Sequence, residues 1–166
     1  MLPLGFGTYR LDPQTTHMMV LEALHNNIRY IDTATLYGNE YEVGKAVHDY
    51  EVGKAVRDYE ETYLDSTCSP FVTTKILNGN ILNGRESILE NIESSFKKLR
   101  GRIDLLLLHV PTENYQVAWD VLCNDLTPDR IPQVGVSNFQ PAHMETMDLK
   151  PWVECSEYFA THPQHV

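Results

Sequence analysis

Four polar side chains, Asp32, Tyr37, Lys75 and His109, stand at or just beyond the C-terminal ends of successive short apolar runs. In a parallel α/β fold that edge is where chemistry gathers. Singly, each has an ordinary use: Asp32 caps a turn, Tyr37 sits on a surface, Lys75 snorkels and His109 ends a strand. Together they form a proton-handling set. A tyrosine with a pKa of about 10 gives up its proton reluctantly at neutral pH. A neighbouring ammonium lowers that pKa, and a carboxylate beside the ammonium keeps the lysine charged. A histidine opposite can hydrogen-bond a substrate oxygen and orient it. Such a set protonates an oxygen while hydride reaches its carbon. No side chain can give hydride, so a nicotinamide is called for.

The elements that must position these residues alternate along the chain. "LGFGTYRL" (4–11) reads as a strand or its C-terminal turn, with Gly5 and Gly7 permitting close backbone approach. "TTHMMVLEALHNN" (15–27) reads as a helix, with Met18, Met19, Leu21 and Leu24 near one face. "IRYIDTA" is the second strand, a helix over the following repeat comes next, and "FVTTKI" is the third strand. "ESILENIESSFKKL" (86–99) sets Ile88, Ile92, Phe96 and Leu99 at helical spacing. "RIDLLLLHV" is apolar enough for a strand buried on both faces. A helix over "YQVAWDVLCNDL", a strand at "QVGVSNF", a short helix at "PAHMETM" and a last strand at "WVECSEY" complete the reading. Six strands alternating with five helices imply βαβ units and a parallel sheet, either doubly wound or an incomplete barrel.

Composition narrows the classes. The chain of 166 residues is 42% hydrophobic and 22% charged, as expected of one globular domain over 1–166. A net charge of −10 with no basic run argues against nucleic acid. The start, "MLPLGFGTYR", carries neither signal-peptide nor membrane-span character. Cys68, Cys123 and Cys155 are odd in number and widely spaced, which suits the cytoplasm. The histidines of "HPQH" (162–165) are too few for a metal site, and none is expected. Neither GxGxxG nor a phosphate-cradling GK[ST] occurs.

The phrases "GFGTYRL", "YIDTATLYGNE", "EVGKAV", "VTTKI", "IDLLLLHVP" and "VGVSNF" occur in that order over nearly the whole chain. In this the sequence resembles the aldo-keto reductases, especially those of 2,5-diketo-gluconate reductase type. The resemblance implies NADPH-dependent reduction of an aldehyde or ketone on a (β/α)8 (TIM) barrel. It implies Tyr37 as general acid, Asp32 and Lys75 as its tuning pair, and His109 as the residue orienting the substrate. It also implies Ser137 and Asn138 at the nicotinamide carboxamide, with Asp32 and the backbone of Gly7 and Thr8 beside the cofactor.

Against that pattern the chain ends after the sixth strand, short of the ~250 residues usual for the barrel. The expectation is therefore a partial (β/α)8 barrel of about six parallel strands, a truncated single domain whose first and sixth strands are free to self-associate. The family's last two units would hold the phosphates, adenosine and the substrate loop. Cys155 stands where the family has a carboxamide-contacting glutamine, and Val110 where it prefers tryptophan. A rival reading is a non-catalytic remnant or binding protein that has lost cofactor affinity.

One stretch breaks the pattern. Tyr41 to Asp49, "YEVGKAVHD", is repeated as Tyr50 to Asp58, with His48 replaced by Arg57. Removing one copy would bring the spacing from Tyr37 to Lys75 close to the family's. Nine residues at ~100° each leave the second copy half a turn out of phase. Val43, Ala46 and Val47 must then face opposite to Val52, Ala55 and Val56 on one helix. One apolar copy is expected at the surface. "ILNGNILNG" (76–84) is a shorter echo of the same slippage.

Overall fold

The computed structural model describes residues 4–60, 69–77, 79, 81, 83–147, 151 and 153–155, with 56–60 described in backbone only. The "HPQH" pair lies outside these residues, and "ILNGNILNG" lies partly outside. The strands are β1 (Gly5–Gly7), β2 (Tyr30–Asp32), β3 (Phe71–Ile76), β4 (Leu105–Leu108), β5 (Gln133–Ser137) and β6 (Glu154–Cys155). The helices are α1 (Pro13–His25), α2 (Glu40–Glu60), α3 (Arg85–Lys98), α4 (Tyr115–Asn124) and α5 (Pro141–Glu145), with a 3-10 turn at Thr35–Tyr37.

All five strand pairings are parallel, and the strands lie side by side in chain order from β1 to β6. A doubly wound sheet reverses its strand order at a switch point. Unbroken sequential order is instead the order of a (β/α)8 barrel, so the sheet is the partial barrel expected. β1 and β6 end the row.

Alternation divides each strand between two faces. Ile31, Val72, Ile76, Leu106, Leu108 and Val136 join the hydrophobic core beneath the helices. Leu105 and Leu107 are buried outside that cluster, on the opposite, inner face. Asp32, Lys75, His109 and Ser137 share the inner parity.

Helix ends follow local chemistry. Asp12 caps α1 by accepting from the Thr15 amide at 3.0 Å, and Pro13 opens the helix two residues earlier than expected. The buried stripe of α1 is Thr16, Val20, Ala23 and Leu24. Met18 and Met19, expected inside, are exposed because they lie off that i, i+4, i+7, i+8 row. On α3 the expected stripe holds: Ile88, Ile92 and Leu99 are buried and Phe96 packs against them.

The duplication lies within a single helix. Val43, Ala46 and Val47 are buried, whereas Val52 is 50% exposed and Ala55 is also at the surface. This is the half-turn mismatch expected from a nine-residue insertion. The first copy also carries a close helix contact. A Cβ on Gly44 would collide with the Lys98 carbonyl and sit 2.7 Å from Leu99 Cα, so α2 touches the end of α3 backbone to backbone.

Asn39, fully buried just ahead of α2, ties the first units together. Its amide nitrogen donates to the Thr8 carbonyl at 2.9 Å, the Thr16 hydroxyl at 3.2 Å and the Leu11 carbonyl at 3.3 Å. Its amide oxygen accepts from the Thr33 hydroxyl at 2.9 Å and the Thr8 hydroxyl at 3.2 Å. Next to it the buried carboxylate of Glu40 accepts from Thr74 at 2.7 Å and pairs with Lys98 at 3.4 Å. Orphaning a buried polar group costs ~1–3 kcal/mol, and Asn39→Ala orphans at least the Thr33 hydroxyl. Urea unfolding of that variant should show a loss of ~3 kcal/mol once the network's mutual support is included.

Candidate active site

Strand register builds the site as a staircase. Asp32 pairs with Thr73, so Lys75 lies one inward-facing position higher on β3. Lys75 pairs with Leu107, which puts His109 one such position higher beyond β4. Leu108 pairs with Val136, which brings Ser137 level with His109. The sheet thus carries all four inward side chains to its C-terminal edge.

The Lys75 ammonium, only 3% exposed, is the centre of the group. It donates to the two Asp32 carboxylate oxygens at 2.6 and 2.7 Å, to the Thr33 carbonyl at 3.0 Å and to the Tyr37 hydroxyl at 3.2 Å. Tyr37 ends the 3-10 turn, which Gly38 closes at φ +72°, a backbone region that suits glycine. The Thr35 hydroxyl fixes the turn to α3 through Ser95 at 3.2 Å. The His109 ring meets Tyr37 edge-on, with centroids 5.7 Å apart and planes at 76°.

The ordering of effects on Tyr37 corrects the expectation from its neighbours. Its pKa is raised above 10.0, because burial outweighs the pull of the Lys75 charge and hydrogen bond. The ammonium holds the rise in check without reversing it. His109 is lowered from 6.5, chiefly by burial and then by Lys75, with Asp32 opposing. At neutral pH the phenol therefore keeps its proton and the imidazole is neutral.

Beside this group, Ser137 is buried and Asn138 adopts φ +59°, a left-handed conformation that asparagine tolerates. The Asn138 amide nitrogen donates to Ser137 Oγ at 3.0 Å and to the His109 carbonyl at 3.2 Å. That leaves a serine hydroxyl able to donate and an amide oxygen able to accept, the pair a primary carboxamide needs. At Gly7 a Cβ would meet nothing within 4 Å, so its backbone borders open space. Thr8 is turned inward: its amide donates to the Asp32 carbonyl at 2.9 Å, and its hydroxyl lies between that carbonyl and Asn39. Cys155, on β6, is level with Ser137, and its carbonyl accepts from the Asn138 backbone amide at 2.9 Å. Burial, followed by the Asp32 charge, raises its thiol pKa.

Tyr9 was not among the residues expected at the site. Its ring lies 5.0 Å from that of Tyr37, and the Arg10 guanidinium stands over it, 5.1 Å from the centroid. The available signal was its place immediately after "GFGT", at the same sheet edge. Among the described residues no group of three His, Cys, Asp or Glu side chains is placed to hold a metal ion. No described helix is long and apolar enough to cross a membrane.

Residues 3–159 match the model of the Aldo/keto reductase family. The chain belongs to that family. It is 32% identical to the oxidoreductase YtbE of Bacillus subtilis over 96% of its own length and 55% of that protein's. To methylglyoxal reductase DkgA of Escherichia coli it is 32% identical, over 87% of this chain and 48% of DkgA. The crystal structure of an Asp-to-Ala mutant of Gox0644 in complex with NADPH superposes with a TM-score of 0.75 at 31% identity, covering 93% of this chain and 53% of that one. The chain thus spans about half the length of the curated relatives it matches. Within this aldo/keto reductase segment, Tyr37 and His109 share one electrostatic field, and both should respond to it together. Lys75→Met should raise both pKa values and Asp32→Asn should lower both, read by carbon-13 tyrosine and imidazole NMR titrations. Opposite movements would refute a common field.

Proposed function

We propose that the site reduces an aldehyde or ketone to an alcohol with NADPH, Tyr37 supplying the proton. The observation that carries this is the Lys75 ammonium bridging both Asp32 oxygens and the Tyr37 hydroxyl, with neutral His109 edge-on to the same phenol. The Ser137 hydroxyl and Asn138 amide oxygen suit the nicotinamide carboxamide, and the open backbone at Gly7 leaves room beside them. Bound NADPH supplies hydride to the carbonyl carbon. His109 donates a ring N–H to the carbonyl oxygen and aims it at Tyr37. As negative charge develops on that oxygen, Tyr37 transfers its proton, and Lys75 steadies the phenolate left behind. Asp32 holds Lys75 in place through both carboxylate oxygens, and solvent returns the proton to Tyr37.

Two relatives support the reading: DkgA bears the name methylglyoxal reductase, and the Asp-to-Ala mutant of Gox0644 was crystallised with NADPH. The partner implied is a small carbonyl compound, and the cytoplasm remains the setting its composition favours. The purified 166-residue chain should quench on titration with NADPH and turn over a reactive aromatic aldehyde. Tyr37→Phe should cut kcat by ~10²–10⁴-fold, the range for loss of a general acid, with little change in NADPH affinity. Ser137→Ala should instead weaken NADPH binding. Binding and turnover both absent from the unaltered chain would favour the non-catalytic reading.

A further inference from the structure

The repeat extends further than the nonapeptide. Tyr41 to Glu51 recurs as Tyr50 to Glu60, and the only change is His48 to Arg57. Every α2 residue that the fold buries in the first copy therefore has an identical residue nine positions on. Val43, Gly44, Ala46, Val47 and Tyr50 correspond to Val52, Gly53, Ala55, Val56 and Tyr59. The surface pairs are duplicated too. Asp49, which bonds His17 at 2.9 Å, has Asp58, and Glu51, which bonds Arg102 at 2.8 Å, has Glu60.

Apolar packing alone consequently cannot tell the two alignments apart. What distinguishes them lies just upstream. The first copy follows Asn39 and Glu40, which make the buried bonds to Thr8, Thr16, Thr33, Thr74 and Lys98. The second follows His48 and Asp49. Histidine offers one donor and one acceptor on separate ring nitrogens where the amide sets two N–H donors beside a carbonyl oxygen, and aspartate is one methylene shorter than glutamate.

We propose that α2 has two registers nine residues apart, and that the Asn39–Glu40 anchor selects the one that assembles the site. In the second register Val52, Gly53 and Ala55 take the places of Val43, Gly44 and Ala46 against α1 and the end of α3. Residues 40–48 become a loop between Tyr37 and the seated helix. Loop closure rises only slowly with length, so those nine residues are not in themselves prohibitive. The consequence falls on the 3-10 turn, whose Tyr37 is held by the helix beginning three residues later. Seating the first copy fixes Tyr37 against Lys75, and seating the second releases it. The repeat is then a conformational switch at the edge of the site.

The test uses the full chain and the close contact at Gly44. Leucine there cannot coexist with the Lys98 carbonyl and Leu99 Cα unless the helix moves. Gly44→Leu should nevertheless remain cooperatively folded, because Gly53 can replace Gly44, and Gly44→Leu/Gly53→Leu should unfold at least 10 °C lower. Register is read directly by thiol labelling of Ala46→Cys and Ala55→Cys, with the modified peptide located by mass mapping. In the unaltered background position 46 is buried and position 55 exposed, so only the latter should label quickly. In the Gly44→Leu background the order should reverse. His48→Asn/Asp49→Glu, which gives the second copy the same Asn-Glu lead, should speed labelling at 46 at least tenfold. The proposal is overturned if Gly44→Leu unfolds as fully as the double variant. It is equally overturned if Gly44→Leu folds with position 46 still protected, or if the Asn-Glu lead leaves labelling at 46 unchanged.

Discussion

A lysine ammonium taken almost wholly out of water is the constraint on which the rest of this architecture turns. Lys75 has three protons to place, and the fold gives them the Asp32 carboxylate, the Thr33 carbonyl and the Tyr37 hydroxyl. Removing the carboxylate would leave the charge stranded, at ~3 kcal/mol or more for a pair of this kind. That demand ties β2 to β3 in a single register. A slip of one residue would turn Lys75 toward the helices and Asp32 away from it. The register then propagates: with β3 fixed, β4 carries His109 to the same edge and β5 carries Ser137.

The second constraint acts at right angles to the sheet. Asn39 fastens the β1 loop, the first turn of α1 and the end of β2 to the start of α2. Tyr37 lies two residues before that knot and is connected to it by the tight turn at Gly38. Its phenol is therefore held from two sides, by backbone geometry through Asn39 and by charge through Lys75. Groups placed by such paired restraints keep their orientation without spending binding energy on it.

Much of this was legible in the sequence. The alternation of apolar runs and helical stretches named each strand among the described residues, and four strand-end residues suggested the chemistry. The phase of the duplicated peptide foretold that one apolar copy would lie outside, and the structure puts Val52 and Ala55 there. Other features were not readable because they depend on three-dimensional neighbours. Met18 and Met19 look like core residues until the packing partner of α1 selects a different stripe. The buried role of Asn39 is invisible because its partners lie 6 to 31 residues away. Tyr9 joins the site only through the height of β1 in the sheet. The sign of the Tyr37 shift also required the structure, since a list of neighbours shows the ammonium and omits the desolvation.

That sign bears on how the site would work. A phenol whose pKa had been driven to neutrality would be partly ionised at rest and would have no proton to deliver. Here burial favours the neutral phenol of Tyr37, while Lys75 stands 3.2 Å from the oxygen that the proposed transfer would leave charged. The ammonium interacts only modestly with a neutral hydroxyl and much more strongly with a phenolate, in surroundings where charge is poorly screened. Its contribution thus grows as the proton leaves, which is the condition for lowering a barrier rather than merely binding the ground state. Asp32 opposes the same effect: its charge, beside Lys75, raises the Tyr37 pKa and so weighs on the side of the neutral phenol.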